Sequence, residues 1–295
     1  MTLDGSNTAD RLPLLSIGVP LFNEQAHVEK SLESLLLQDY PNLEVLLSDN
    51  ASTDCTVELC RKAAARDTRV VVHTIDWNRG AVWNFRNVLD LAKGRYFMWA
   101  GAHDLWEPTF ASRCIAALQE SPDVVTAFPP AVFIDENDRV LEQVRTAYDT
   151  RGIGGLARPW ITAWLVSAHY GYPIYGVHRI DEIRQALTAA RCIGPDIVTL
   201  FALAFLGPTA YVPGPPQISL RKRHDYGDWG AYLTKIYGSR DVKYRQLVQD
   251  MRRAYLSVIR QRTKAGGLRM LHWMMLECFM PTIRGWAAAA ARAQT

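Results

Sequence analysis

Along the first 130 residues, short uninterrupted apolar runs alternate with segments whose apolar positions recur every three or four residues. The runs are LLSIGVP (14–20), LEVLLS (43–48), RVVVHTI (69–75), RYFMWA (95–100) and VVTAFPP (124–130). Between them, Val28, Leu32, Leu35 and Leu36 fall on one helical stripe. Further helices are expected from Ser52 or Thr53 through Lys62, over 80–92 and from Thr109 to Gln119. A strand that is apolar at every position is covered on both faces, and the amphipathic helices supply the cover. The pattern predicts an α/β fold: an open, mostly parallel twisted sheet flanked by helices. Right-handed crossovers then line up the loops after the strands along one edge, where open sheets bind ligands.

After Pro130 the rhythm changes. FIDENDRVLE predicts a hairpin turning at Glu136-Asn137-Asp138, and Gly152, Gly154 and Gly155 mark a mobile connection. Helices near 155–168, 179–191 and 195–206, short strands near 209–213 and 217–222, and a mostly helical stretch over 228–290 complete the chain. The organisation expected is a polar lead (1–12), one domain (13–226, in halves 13–130 and 131–226) and a helical C-terminal extension (227–295).

Composition narrows the classes. The 295 residues, 48% hydrophobic and 21% charged, can bury a sizeable core. A net charge of +3 is too small to argue for nucleic acid, and no nucleic-acid partner is expected. Basic residues gather after Lys243, however, where acids are scarce. Cys55, Cys60, Cys114, Cys192 and Cys278 are odd in number and widely spaced, which fits free thiols in a reducing compartment. MTLDGSNTADRLPLL lacks a basic segment before an apolar core, and no uncharged apolar run reaches the ~18 residues of a membrane span. The expected location is the cytoplasm, with peripheral attachment to the inner face of the plasma membrane as a further candidate.

Four segments at strand ends carry candidate chemistry. In YFMWAGAHDLWEP (96–108), Gly101 and Ala102 open the backbone ahead of His103 and Asp104, which are candidate ligands. VPLFNE (19–24) offers Phe22 as a ring face and Asn23 and Glu24 as polar groups. In LLSDNASTD (46–54), Asp49 and Asn50 follow the strand, where a carboxylate can accept from a base imide or a ribose hydroxyl. DWNRGAVWNFRN (76–87) brings Arg79 and Arg86, either able to face phosphate oxygens. Each segment alone also reads as an ordinary turn or helix cap. VPLFNE has no glycine-rich turn, which argues against a dehydrogenase.

In order, spacing and context, these segments resemble glycosyltransferase family 2, the inverting nucleotide-sugar transferases of GT-A fold, over residues 14–130 and again over 190–226. The resemblance implies that Pro20, Phe22 and Glu24 border base and ribose, that Asp49, with Asn50 beside it, reads the base, and that Ala102 and Trp106 lie against the donor. It places the family's D-x-D motif, which holds a divalent cation on the donor diphosphate, on Gly101-Ala102-His103-Asp104. Here the chain departs from the pattern: Gly101 replaces the first carboxylate and His103 stands at the usual ligand position. Imidazole suits Mn2+ better than Mg2+, so Mn2+ is favoured. Three outcomes stay open: His103 binds the cation, Asp104 takes over, or cationic side chains replace it. Phe85 is a second departure, standing where many relatives carry arginine, which leaves the phosphates to Arg79 and Arg86.

In CIGPDIVTLFALAFLG (192–207) the resemblance marks Asp196 as general base, with a helix-capping aspartate as the alternative. His224, closing ISLRKRH, is a third candidate metal ligand; His73, His169 and His178 are read as structural. The implied reaction moves a sugar, with inversion, from a nucleotide-diphosphate donor (uridine favoured) to a hydroxyl on a glycan, a lipid-linked glycan or a small molecule. The rival is a catalytically silent protein of the same fold. Trp106, Trp160, Trp164, Tyr170, Tyr172 and Tyr175 could face sugar rings or pack the core. LRMLHWMMLECFMPTIRGW (268–286) is either a helix packed on the core or an amphipathic segment resting on an anionic membrane.

Overall fold

A computed structural model describes residues 12–144, 148–168, 171–187, 192, 194–222, 233, 242–264 and 266–292. The expected alternation is present: β1 (Leu15–Leu21), α1 (Val28–Leu36), β2 (Leu43–Asp49), α2 (Thr56–Arg66), β3 (Val70–Thr74), α3 (Ala81–Leu91) and β4 (Tyr96–Trp99). Then come β5 (Leu105–Trp106), α4 (Phe110–Glu120), β6 (Thr126–Phe128), β7 (Ala131–Ile134), β8 (Val140–Val144), α5 (Arg158–Ala168), β9 (Val177–Arg179), α6 (Ile180–Ala186) and α7 (Pro195–Leu203). The chain continues through β10 (Thr209–Tyr211), β11 (Ile218–Arg221), α8 (Tyr244–Arg262) and α9 (Gly266–Arg292).

Seven strands form the main sheet in the order β10-β6-β9-β4-β1-β2-β3. The half made of β4, β1, β2 and β3 is parallel. Its strands β1, β2 and β4 are buried along nearly their whole length, as runs apolar at every position require. Beyond β4 the sheet is mixed, because β9 inserts antiparallel between β4 and β6. The sequence pattern placed residue 179 at the start of a helix. A strand forms over Val177–Arg179 instead, since His178 is satisfied inside the sheet: Nδ1 meets Thr126 Oγ1 at 2.9 Å and Nε2 meets the Ile174 carbonyl at 2.9 Å. Burial pushes this imidazole down to about 4, so it stays neutral, as expected of a structural histidine.

A second, four-stranded sheet, ordered β5-β11-β7-β8, was not anticipated as a separate layer. It contains the predicted hairpin, whose tip is Asp138 in the left-handed region (φ 64). β11 lies between β7 and the two-residue β5, so the chain just after the His103-Asp104 turn is pinned to a strand more than a hundred residues later.

The C-terminal helices pack on the rest of the chain through an aromatic cluster. Trp160 of α5 lies against Phe201 of α7 (4.9 Å between centroids), Tyr255 of α8 (6.5 Å) and Phe279 of α9 (6.2 Å). Its Nε1–H donates to His272 Nδ1 at 2.8 Å. Burial lowers the His272 pKa, keeping that nitrogen an acceptor. Among the described residues no helix is long and apolar enough to cross a membrane. Trp160→Ala should cost about 3–5 kcal/mol in chemical denaturation, the range for deleting a buried aromatic that also donates a hydrogen bond. A cost within experimental error would show that α8 and α9 are held by other contacts.

Candidate functional site

Parallel register gathers the strand ends. Leu21 is opposite Asp49 and Asp49 opposite Thr74, while β4 runs parallel on the other side of β1, so the loops after all four strands share one edge. The first two loops are laced together. The Asn23 amide donates to Ser52 Oγ (2.9 Å) and the Glu24 amide to Thr56 Oγ1 (2.8 Å), while Asn23 Oδ1 accepts from the Thr53 amide (2.9 Å). Asn23 and Ala51 take left-handed conformations to make these turns (φ 55 and 61).

Of the side chains on this edge, Phe22 is 44% exposed and presents its ring to solvent, and Pro20 is partly buried. Asp49 is buried: Oδ2 accepts from the Ser52 amide at 2.9 Å, while Oδ1 is enclosed with no donor among the described residues. A buried carboxylate oxygen left unpaired costs about 1–3 kcal/mol, and a ligand N–H or O–H would relieve it. Asn50 is turned elsewhere. Its Nδ2 donates to Asn78 Oδ1 (2.8 Å) and its Oδ1 accepts from the Arg79 amide (2.9 Å), so it braces the third loop and keeps one amide hydrogen and one lone pair beyond those bonds.

The two arginines part company. Arg79 lies on the edge with its guanidinium between the rings of Trp77 (4.9 Å) and Trp83 (4.7 Å). Arg86 is in the second turn of α3 and pairs with Asp90 at 3.5 Å on the exposed helix surface. Ala102 and Trp106 are buried, at 1% and 3% exposure. Trp106 belongs to β5 and its ring to the core, the packing alternative of the two read for it. Trp160 and Tyr172 are likewise core residues, whereas Trp164 is 64% exposed. Tyr170, His169 and His224 lie outside the described residues.

At the end of β4, His103 Nδ1 stands 3.3 Å from Glu24 Oε2, pairing the third expected donor-loop residue with the imidazole. Asp104 is buried. Its Oδ1 accepts from the Arg221 amide at 2.7 Å, and its Oδ2 occupies the space beside Gly101 where any side chain at 101 would have to go. The missing carboxylate and the buried one are thus a single feature: glycine at 101 lets Asp104 fold inward. Burial raises the Asp104 pKa, opposed by His103 and the Arg221 amide.

Arg221, which the sequence reading passed over, organises this corner. Its side chain is 2% exposed. Nε donates to the His103 carbonyl (2.9 Å), Nη1 to the Asp135 carbonyl (2.5 Å) and Nη2 to Asp138 Oδ1. Lys30 also pairs with Asp138, and the two cations hold that carboxyl below its ordinary range.

For a divalent cation, the chain offers the imidazole of His103 on the open side of this turn; the Asp104 oxygens are enclosed. No group of three or more His, Cys, Asp or Glu converges on an ion-sized gap among the described residues. A cation here would take His103 from the protein and most of its remaining ligands from a bound diphosphate, which is how weakly caged cations are held. The donor set fits a cation that arrives with its substrate.

Asp196 sits in the first turn of α7, after Gly194 (φ 60) and Pro195. It is partly exposed, with Oδ2 against Gly171, the left-handed residue (φ 64) that opens the turn Tyr172–Tyr175 packed on β4 and β6. Burial of the carboxyl pushes it up to about 6, against the backbone amides of Ile197 and Asp196. Tyr255 of α8 lies nearby with its hydroxyl buried and unpartnered among the described residues. Its pKa is pushed well up, first by burial and then by the charges of Cys192 and Asp196. The folded state therefore favours protonated Asp196, and stability should fall as pH rises from about 4 to about 6. Asp196→Asn removes that penalty. We expect it to raise stability by about 1–3 kcal/mol above pH 6 and little below pH 4, a difference that denaturation at the two pH values would register.

A family model described as "Glycosyl transferase family 2" matches residues 16–167. The chain is 31% identical over 104 residues to the Escherichia coli UDP-Glc:alpha-D-GlcNAc-diphosphoundecaprenol beta-1,3-glucosyltransferase WfaP, covering 35% of this chain and 41% of that one. It is 32% identical over 176 residues to a Methanococcus voltae dolichyl N-acetyl-alpha-D-glucosaminyl phosphate 3-beta-D-2,3-diacetamido-2,3-dideoxy-beta-D-glucuronosyltransferase, covering 57% of this chain and 54% of that one. The chain thus spans about half or less of the length of these curated relatives. Among solved structures it is similar to S. aureus TarS 1-349 in complex with UDP-GlcNAc (TM-score 0.56, 16% identity, 92% of this chain and 89% of that one). It is also similar to the mannosyltransferase PcManGT from Pyrobaculum calidifontis in complex with GDP-Man and Mn2+ (TM-score 0.56, 17% identity, 95% and 74%).

Proposed function

The chain belongs to glycosyltransferase family 2 and has the GT-A type of fold, and from that premise we propose that it transfers a sugar from a nucleotide-diphosphate donor, UDP-linked by preference, to an acceptor hydroxyl with inversion. The observation that carries the reading is the enclosed Oδ1 of Asp49, without a donor among the described residues, on the edge where four loops meet. A base imide or ribose hydroxyl would satisfy it, with the exposed ring of Phe22 available for stacking and Pro20 and Glu24 bordering the same loop.

Arg79 would meet the diphosphate as a positive charge already held in place. His103, turned by Glu24, would be the protein ligand of a divalent cation, Mn2+ in preference to Mg2+ because the ligand is an imidazole. When bound, the cation would neutralise charge building on the departing nucleoside diphosphate. Asp104 we read as the inward brace of this turn, not as a second ligand. Asp196 would take the proton from the acceptor hydroxyl as that oxygen attacks the anomeric carbon. Bond making and breaking on opposite faces of the sugar invert its configuration in one displacement, with no covalent intermediate on the protein.

For the acceptor we favour a glycan on a polyprenyl carrier, the class named for the Escherichia coli and Methanococcus voltae relatives. That places the reaction at a membrane surface, and the free cysteines fit its cytoplasmic side. Residues 13–226 would form the catalytic unit, and the extension would close around Asp196 through Tyr255.

A thermal-shift panel of nucleotide sugars with and without Mn2+, followed by transfer assays, tests the reading. UDP-sugars should raise Tm in the wild type and fail to do so in Asp49→Ala. No shift with any nucleotide would refute it, and a shift without transfer or donor hydrolysis would favour the silent alternative. Asp196→Asn should bind donor normally and lose about 10²–10⁴-fold in transfer rate. In the wild type kcat/KM should climb with pH and level off above about 6, as Asp196 loses its proton. His103→Ala should weaken the Mn2+-dependent part of the donor shift and leave the metal-free part unchanged; an unaltered Mn2+ response would remove His103 from the cation.

A further inference from the structure

Helix α9 breaks the usual rule for a surface helix. Its inner face, with His272, Leu276, Phe279 and Ile283, is buried against the aromatic cluster around Trp160. Its outer face over the first turns is apolar as well: Leu268 (47% exposed), Met270 (64%), Leu271 (38%), Trp273 (46%) and Met274 (50%). A helix that is apolar all round is normally covered on all sides, and a contiguous exposed patch of this kind marks a contact surface.

The surroundings say what covers it. Between α8 and α9 lies a cleft of about 460 Å³, lined by Arg252, Arg260 and Arg269 with Leu256, Met270 and Trp273. Arg260 is exposed, and Arg269 donates to the Thr263 carbonyl at 2.9 Å, so both are held beside the apolar stripe. The acids in this part of the chain, Asp250 and Glu277, are already paired, with Arg253 at 3.3 Å and Arg252 at 2.6 Å. Lys264 just precedes α9 and Arg284 lies further along it, both exposed. An apolar stripe ringed by cations matches the boundary between acyl chains and anionic headgroups. A second copy fits less well, because two-fold pairing would set the same arginines against one another.

We propose that the outer face of α9 docks on an anionic phospholipid surface. Leu268, Met270, Leu271, Trp273 and Met274 enter the acyl boundary, and Arg260 and Arg269 take headgroup phosphates at the cleft. The biological purpose rests on the lipid-borne acceptor read above, while the surface itself is independent of it. Docking would hold the carrier lipid and the catalytic edge on one body.

The test is co-sedimentation of the full chain with vesicles of phosphatidylcholine alone or mixed with phosphatidylglycerol. Binding should require phosphatidylglycerol, weaken as salt is raised, and fall at least about tenfold in Met270→Glu/Trp273→Glu. Arg260→Glu/Arg269→Glu should abolish the preference for the anionic lipid. Brominated acyl chains should quench fluorescence less in Trp273→Phe than in the wild type. Unchanged Tm values in the absence of ligand establish that the variants are folded. Failure of the wild type to bind, binding indifferent to these substitutions, or a concentration-dependent dimer lost in Met270→Glu/Trp273→Glu would each overturn the proposal. The nucleotide-induced Tm shift, read in parallel, reports the donor reading separately, so either can fail alone.

Discussion

The geometry of the reactive edge depends on one buried cation. Arg221 reaches from β11 into the turn after β4, where its amide and guanidinium hold the Asp104 carboxylate and the His103 carbonyl, and its far end holds the hairpin through Asp135 and Asp138. A guanidinium this enclosed persists only if nearly every N–H finds an acceptor, and here the acceptors come from two separate segments, the turn after β4 and the β7–β8 hairpin. The small sheet β5-β11-β7-β8 is what brings them together. Its strands are short, yet the register of β11 between β5 and β7 sets where the charge lies, and so where the imidazole of His103 can point.

Seen from that brace, the unusual letters of the turn make physical sense together. Glycine at 101 leaves the hollow that Asp104 fills, and an inward Asp104 accepts from the Arg221 backbone amide while the guanidinium finds its anionic partner in Asp138. The side chain left facing outward is histidine, steadied by Glu24 from the neighbouring loop. The charge of the corner has moved inward, from the surface of the turn to its foundation. The helical extension contributes in a similar way at a distance, since a tyrosine of α8 raises the apolar wall beside Asp196.

Much of the architecture was legible in the chain. Uninterrupted apolar runs between helical stripes specified the parallel half of the sheet, because a two-sided burial leaves no polar position in a strand. The order of strand ends likewise brought Phe22, Asp49, Arg79 and His103 to one edge. What escaped was decided by long-range contacts. β9 is three residues long and carries a histidine and an arginine, so neither length nor periodicity marks it. β5 has two residues. Arg221 looked like one base in a basic run because its partners lie 83 to 118 positions away. Asn50, Arg86 and Trp106 were the right residue types in the right segments, but spacing gives identity, not direction. In the fold Asn50 reaches Asn78, Arg86 pairs with Asp90 and Trp106 packs in the core.

The indole sandwich around Arg79 has a kinetic corollary. A side chain with four flexible bonds ordinarily surrenders rotational freedom when it grips an anion, and that loss weakens the grip. Here two indole faces already contact the guanidinium, which lessens that loss. The diphosphate proposed for it is present both before and after the sugar has left, so such a clasp would hold the spent nucleotide as well as the fresh one. If the diphosphate binds there as proposed, loosening Trp77 or Trp83 would ease the escape of the by-product.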